Sequence, residues 1–521
     1  MIGIYDLLKE QGKYRPDKCA LVCEGKRYTY RELNQRINCV AYGLHELGVK
    51  KGSRVGLLLT NGVDFISLFY AVIKLGGCIT PFNYRYTIDE LEQLRSVVDC
   101  EYIISSKFFL DNVDQLVLEE HDHDVITVFT DVEREHPSIH SFLENGQKDW
   151  DYTEPLDEDD VIFNVFTGGT TGTPKAAAHT QYSSLMRIMA FMMVPGSCNP
   201  DIVYLNYAPM FHIGGIGGML KILSCGATFC LLENFNMDKI VEMIVNERAT
   251  DIALIPPTIL NRFEELTREQ GLDLSSVRLL TLAGGVCDEP TLDLAFHLMP
   301  DVMCSNTLGS SENPVVLSNV FRKEDFEANR QIYRSVGKPQ FFYDVKLIKE
   351  DGTEAGVNKP GEMYGRSPAM MSGYCNHANP FTEDGWFPTG DILRRDEDGN
   401  YFFCTRSKDM IKCGGENIYA VEVENAIVTN PKVKQCAVVG IPDKQWGEIV
   451  AAAVVLQPGE EISKQEIIDY CKSKIASYKK PKAVCFVNQL PVTGVGKVNK
   501  VAVKQLLLDH LSIESERTSN L

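Results

Sequence analysis

The chain reads as an α/β protein, and three observations predict this class. Its 521 residues exceed one compact core, which stops growing at roughly 250–300 residues, so more than one folding unit is expected. Up to about residue 330, strand-length apolar runs alternate with helical periods, as in βα units packed around a mainly parallel sheet. From 335 to 402 the pattern changes to short strands and turns (Glu350-Asp-Gly, Glu383-Asp-Gly, Asp398-Gly-Asn), which predicts a β-rich subdomain. A small α+β unit follows. The boundary is placed near Lys408, giving a large N-terminal domain of βα subdomains plus the β-rich part over 1–407, and a small C-terminal domain over 408–521.

Taken in order, residues 30–48 carry Leu33, Ile37, Val40, Ala41, Leu44 and Leu47 at helical spacing. Residues 54–60 form an apolar run of strand length, and 64–76 a second helix that stops at Gly76-Gly77. Residues 101–105 and 125–130 are strand-like, whereas 132–160 are acidic and irregular, a surface connection. Strands are expected at 161–166, 201–208, 433–440 and 449–456. Ser463-x-x-Glu466 is a capping box that opens a helix with Ile467, Ile468, Cys471 and Ile475 on one face. Residues 513–521 are polar and are expected to fray.

Hydrophobic content of 44% and charged content of 24% are those of an ordinary globular protein. A net charge of −19 repels phosphate backbones, so no nucleic-acid partner is expected, although a local basic pocket for a nucleotide is compatible with it. The first residues lack the apolar stretch and cleavage site of a signal peptide. The run 449–456 is far short of the ~18–20 residues of a membrane span, so no integral membrane association is expected. Sixteen cysteines without a C-x-x-C pair, many in apolar surroundings (Cys225, Cys230, Cys436), predict free thiols and a cytoplasmic protein.

One segment carries recognisable chemistry. After the strand at 161–166 the chain reads Phe166-Thr-Gly-Gly-Thr-Thr-Gly-Thr-Pro-Lys175. Glycines let backbone N–H groups close around an anion, threonines add hydroxyl donors, and Lys175 adds charge: a cradle for a triphosphate or pyrophosphate. It is not a Walker A loop, because Pro174 precedes Lys175 and Ala176 follows it.

This loop resembles the signature loop of the adenylate-forming superfamily, which includes acyl-CoA synthetases, nonribosomal peptide adenylation domains and beetle luciferases. Gly168 stands where that family usually has Ser, and Ala176 where it usually has Gly. Further segments match in the family's order along nearly the whole chain. Pro209-Met-Phe-His212 resembles the stretch whose histidine lies beside the reacting carboxylate. Gly284-Gly285-Val286 resembles the stretch passing the adenine and the acyl group. Leu308-Gly309-Ser-Ser311-Glu312 resembles the motif whose Glu helps hold Mg²⁺ on the phosphates, with Leu308 where an adenine-stacking Tyr is usual and Ser311 in place of Thr. Gly385-Trp-Phe-Pro-Thr-Gly-Asp391 resembles the segment whose Asp grips the ribose diol. Arg406-Ser-Lys408-Asp-Met-Ile-Lys412-Cys-Gly414-Gly415 resembles the ribose or phosphate contact, the hinge (Lys408) and the approach of the pantetheine arm (Lys412, Gly414, Gly415). Pro491-Val-Thr-Gly-Val-Gly-Lys497 resembles the C-terminal catalytic lysine loop.

The resemblance implies that residues 1–407 are an adenylation domain and 408–521 a mobile C-terminal domain. It implies an AMP-forming acid–CoA ligase using ATP, Mg²⁺ and coenzyme A. Lys497, His212 and Glu312 are its catalytic residues. Thr167, Gly168, Gly169, Thr170, Thr171, Gly172, Lys175, Gly284, Gly285, Val286, Leu308, Gly309, Ser311, Asp391 and Arg406 contact the nucleotide, with Thr170 and Glu312 near the metal. Glycines after His212, Gly214 and Gly218 among them, suggest a roomy apolar pocket for a bulky, aromatic or medium-to-long-chain acid. A ligase loading a carrier-protein pantetheine, a luciferase-like oxygenase and a degenerate nucleotide-binding module remain alternatives. The sequence does not set the oligomeric state; a homodimer is one option.

Overall fold

The computed structural model describes residues 2–109, 111–112, 126–130, 137–167, 175–194, 196–255, 258–282, 289–413, 416–443, 445–492 and 498–519. They form two compact units: 1–344 with 365–387, and 345–364 with 388–521.

The first unit is built on two mixed sheets. In one, the order is Gly373–Tyr374, Ala176–Thr180, Val161–Phe166, Cys78–Pro81, Arg54–Leu58, Tyr102–Ser105, Ile126–Phe129. Its strands pair in parallel from Val161–Phe166 to Ile126–Phe129, while Ala176–Thr180 and Gly373–Tyr374 join antiparallel. The other sheet has a parallel centre that includes Val203–Asn206, Thr228–Leu231 and Met303–Leu308, and it ends in antiparallel strands such as Leu317–Phe321. The α/β class read from the alternating pattern is the class found.

Local rules account for the helices that cover these sheets. Tyr30–Glu46 starts where Thr29 and Glu32 bond reciprocally, which satisfies two amide groups at the helix start, and it buries Leu33, Ile37, Val40, Ala41 and Leu44. Val63–Lys74 is apolar on every side and buried on every side from Phe65 onward. It ends at Gly76, whose φ of +75° suits glycine and whose N–H donates to the Ile73 carbonyl at 2.9 Å. At its last position Lys74 is buried, bonds the Trp150 carbonyl at 2.7 Å, and lies 5.0 and 5.1 Å from the Tyr5 and Trp150 ring centres. Burial pulls its pKa down to about 8.

The connection at 132–160 is less irregular than its composition suggests. It contains the helix Ile139–Asn145, capped by Ser138, which buries Ile139 and packs the half-buried Phe142 and Leu143 against the same core. Seven residues span only two turns, so the Ile139, Phe142, Leu143 spacing is too short to stand out from the acidic stretch around it.

The second unit holds a four-stranded sheet (Asp344–Ile348, Gly361–Arg366, Phe387–Arg395, Tyr401–Arg406) and a hairpin-centred sheet. In the latter, Val433–Asp443 pairs antiparallel with Gly447–Leu456, and Ala483–Phe486 adds in parallel. Ser463 caps Lys464–Lys474, which buries Ile467 and Cys471; Ile475 falls just past its end. The last helix, Lys500–Ser519, continues through most of the tail expected to fray. Glu514, Glu516 and Arg517 are polar but favour helix, so polarity alone misleads there. Among the described residues no helix is long and apolar enough to cross a membrane, and the cysteines are free.

Candidate active site

In the first unit the phosphate-loop segment connects two paired strands. Phe166 pairs with Ala176, and the Thr167 N–H donates to the Lys175 carbonyl at 2.9 Å, so the two ends of the loop are tied together. Lys175 is exposed, with Nζ 4.9 Å from the ring centre of Tyr374. Tyr374 is there because Gly373–Tyr374 pairs with Ala178 and Ala177 of the strand that follows the loop.

Glu312 lies in the turn between Met303–Leu308 and Leu317–Phe321. The turn is tight: a side chain on Gly309 would meet the Val315 backbone nitrogen at 2.2 Å, which gives that glycine a packing role of its own. Ser310 Oγ accepts from the Asn313 N–H at 3.1 Å, and the Met371 N–H donates to the Glu312 carbonyl at 3.0 Å. The half-buried Glu312 carboxylate accepts the Tyr374 hydroxyl through Oε1 at 2.9 Å. Burial first, and the Glu312 charge second, push the phenol pKa well up, so it acts as a donor. Leu308 and Ser311 are half-buried in the same turn.

Behind the turn lies a buried cation. Arg187 donates to His179 Nδ1 at 2.8 Å, and His179 Nε2 lies 3.0 Å from the Ser311 carbonyl. Guanidinium groups only donate, so Nδ1 is the acceptor and Nε2–H bonds Ser311. Burial, reinforced by Arg187, holds the imidazole well below its usual pKa, hence neutral; burial lowers Arg187 to about 10.

His212 is the N-cap residue of the helix Ile213–Ser224, half-buried, with its ring centre 4.5 Å from that of Phe211. The glycines after it differ in purpose. A side chain on Gly215 would come within 2.7 Å of the Pro209 carbonyl, and one on Gly218 within 2.9 Å of the Tyr204 hydroxyl. These two allow close packing, whereas Gly217 meets nothing within 4 Å and Gly214 is exposed.

The second unit supplies Asp391 and Arg406 directly opposite each other on paired strands. Asp391 Oδ1 is 3.2 Å from Arg406 Nε, and their side chains are 8% and 49% exposed, so the carboxylate is buried while about half of the arginine side chain faces solvent. The Asp391 N–H donates to Thr389 Oγ1 at 3.1 Å. Lys408 is exposed in the turn Ser407–Asp409, and Lys412 Nζ is 3.8 Å from Glu350. Gly168, Gly169, Thr170, Thr171, Gly172, Gly284, Gly285, Val286, Gly414, Gly415 and Lys497 lie outside the described residues.

A single half-buried carboxylate such as Glu312 suits Mg²⁺ only when phosphates complete the site, because that cation binds through one or two carboxylates plus phosphates. Among the described residues no group of three or more acidic, His or Cys side chains would hold a metal without them.

These charged and hydroxyl groups suit phosphate and ribose chemistry, and the chain is an adenylate-forming enzyme, as its family shows. A family model for the AMP-binding enzyme matches residues 8–375 and one for the AMP-binding enzyme C-terminal domain matches 422–497, and the chain belongs to this family. It is 31% identical to the long-chain-fatty-acid–CoA ligase FadD13 of Mycobacterium tuberculosis, covering 92% of this chain and 93% of that one. It is 30% identical to a feruloyl-CoA synthase of Amycolatopsis, covering 95% and 97%. A solved Mycobacterium tuberculosis fatty acyl CoA synthetase superposes with a TM-score of 0.75 at 28% identity, covering 97% of this chain and 98% of that one.

Proposed function

We propose that this enzyme joins a bulky, aromatic or medium-to-long-chain carboxylic acid to coenzyme A, first forming the acyl-adenylate from ATP and releasing pyrophosphate, then passing the acyl group to the thiol and releasing AMP. The observation that carries this reading is the convergence of Lys175 and Glu312 on Tyr374 beside the tied phosphate loop. Similarity to ligases named for long-chain and feruloyl acids supports the breadth of the acid class.

A carboxylate attacking a polyanion meets charge repulsion, so cationic and donor groups in fixed positions are the main requirement. Lys175 and the loop threonines, Thr170 and Thr171 included, take the departing phosphates. Mg²⁺ held by Glu312 supplies charge neutralisation there. Asp391 takes the ribose hydroxyls, with Arg406 beside it on ribose or phosphate. His212 lies beside the reacting carboxylate, and Gly214 and Gly218 line its approach. Leu308 gives the adenine an apolar neighbour in place of a ring. Lys497 bridges the carboxylate and the α-phosphate. No protein nucleophile is required, because the substrate oxygen attacks.

Residues 1–407 act as the adenylation domain and 408–521 as the mobile one, with Lys408 as the hinge and Lys412, Gly414 and Gly415 along the pantetheine path. The reading extends to a cytoplasmic enzyme, supported by the free thiols, and to a homodimer, which sedimentation tests.

Acid-dependent ATP–pyrophosphate exchange across acids of graded size tests the first half-reaction, and AMP release with free coenzyme A the second. Lys497→Ala is expected to depress exchange by at least a hundredfold, on the order of one lost transition-state cation, while sparing thioester formation from supplied acyl-adenylate. Equal losses in both halves count against this division of labour, and AMP release only with a carrier protein favours the carrier-loading alternative.

A further inference from the structure

Tyr374 joins two parts of the site that are far apart in sequence. Its hydroxyl reaches Glu312 Oε1 at 2.9 Å, and its ring lies 4.9 Å from Lys175 Nζ. The backbone around it is fixed on both sides. Met371 N–H donates to the Glu312 carbonyl at 3.0 Å, while Ser372 and Cys375 N–H groups donate to Ala178 and Ala176 at 2.8 and 2.9 Å. The segment 371–375 therefore stitches the Glu312 turn to the strand leaving the phosphate loop, and Tyr374 is the side chain it presents to both.

We propose that Tyr374 is a positioning residue of the phosphate site: its hydroxyl holds the Glu312 carboxylate for the cation, and its ring holds the Lys175 ammonium for the phosphates. This rests on the adenylation reading above. An ionised carboxylate has about four acceptor positions, so accepting one hydroxyl at Oε1 leaves Oε2 available to a cation. The phenol brings no charge of its own, so it orients Glu312 without cancelling it. The ring face attracts an ammonium, which draws a long, flexible lysine toward one place.

Two substitutions separate the contributions. Tyr374→Phe keeps the ring and loses the hydroxyl; Tyr374→Leu loses both. Calorimetry of β,γ-imido-ATP binding, with Mg²⁺ and with EDTA, gives the gain in affinity that the cation confers. Tyr374→Phe is expected to reduce that gain about tenfold, the value of one hydrogen bond to a charged group, with affinity in EDTA unchanged. Tyr374→Leu is expected to lower affinity in EDTA about threefold as well, the scale of a partly exposed cation–π contact.

An unchanged gain in Tyr374→Phe overturns the proposal. So does a larger gain, which means that the hydroxyl competes with the cation. A lower melting temperature with an unchanged gain marks a purely structural contact and overturns it too. Tyr374→Phe decides the hydroxyl's role alone if Tyr374→Leu fails to fold, and Lys175→Met then reports the ring's share through affinity in EDTA. A wild-type enzyme that binds nucleotide with the expected Mg²⁺ gain but exchanges no pyrophosphate with any acid overturns the ligase reading and leaves the role of Tyr374 supported. One that exchanges, with an unchanged gain in Tyr374→Phe, does the reverse.

Discussion

The Glu312–Tyr374–Lys175 cluster of the first unit and the Asp391–Arg406 pair of the second are built in opposite ways. The pair sits on adjacent strands in register, so forming one hairpin forms the site. The cluster needs three segments: a strand edge, a turn held by a buried Arg187–His179 relay, and the strand Gly373–Tyr374. A site made by one hairpin depends on local register. A site stitched from distant segments depends on the integrity of its whole unit, and so its function and its stability are coupled.

Three measurements bear on that contrast. The largest effect is expected from Asp391→Ala, which removes both acceptors for a diol. ATP affinity should fall on the order of a hundredfold, the loss of two charge-assisted hydrogen bonds, and equally with and without Mg²⁺. A loss confined to Mg²⁺-containing buffer would tie the hairpin to the cation and erase the distinction.

Next in size is a pH effect on the stitched side. His179 is neutral when folded because its pKa is depressed by burial and Arg187. Below its unfolded value of about 6.5 the unfolded chain binds the extra proton, so stability falls as pH drops. His179→Gln, whose amide can still accept from Arg187 and donate to Ser311, is expected to flatten urea-melt stability between pH 6.5 and 5 by about 1 kcal/mol per pH unit relative to wild type. Parallel curves for the two proteins would remove His179 as the source. The smallest effect belongs to Arg406→Gln. With its side chain half exposed, the change should weaken ATP affinity only about threefold by titration, because screened charges contribute little; a loss rivalling that of Asp391→Ala would give the two partners equal weight.

The contrast also explains what could be read in advance. Asp391 and Arg406 were legible from the family motifs they stand in, fifteen residues apart, and strand pairing brings the two side chains together. The cap at Thr29 emerged only in the structure, but the α/β alternation, the helical period over 30–48 and the helix start at Ser463 were legible for a local reason. Tyr374 was not, since its partner Glu312 is 62 residues away and no spacing rule connects them. Nor was the relay behind Ser311, where an ordinary His and Arg become notable only once buried together. The glycine run after His212 was legible as space, but not which neighbour fills it: the Pro209–Met210 backbone at Gly215 and the Tyr204 ring at Gly218. A one-dimensional pattern records small size without saying which neighbour requires it.

The many free thiols give the molecule a practical property. Burial pushes Cys23, Cys404 and Cys471 up to about 11 and Cys100 and Cys304 up to about 12, so at neutral pH these sulfurs carry almost no reactive thiolate. An alkylating dye reaches the buried Cys23, Cys100, Cys304 and Cys471 only when the chain opens, whereas Cys404 is half-buried. Because such cysteines are scattered through both units, the protein carries its own set of unfolding reporters, and mass spectrometry of timed labelling would show which unit opens first without any engineered probe.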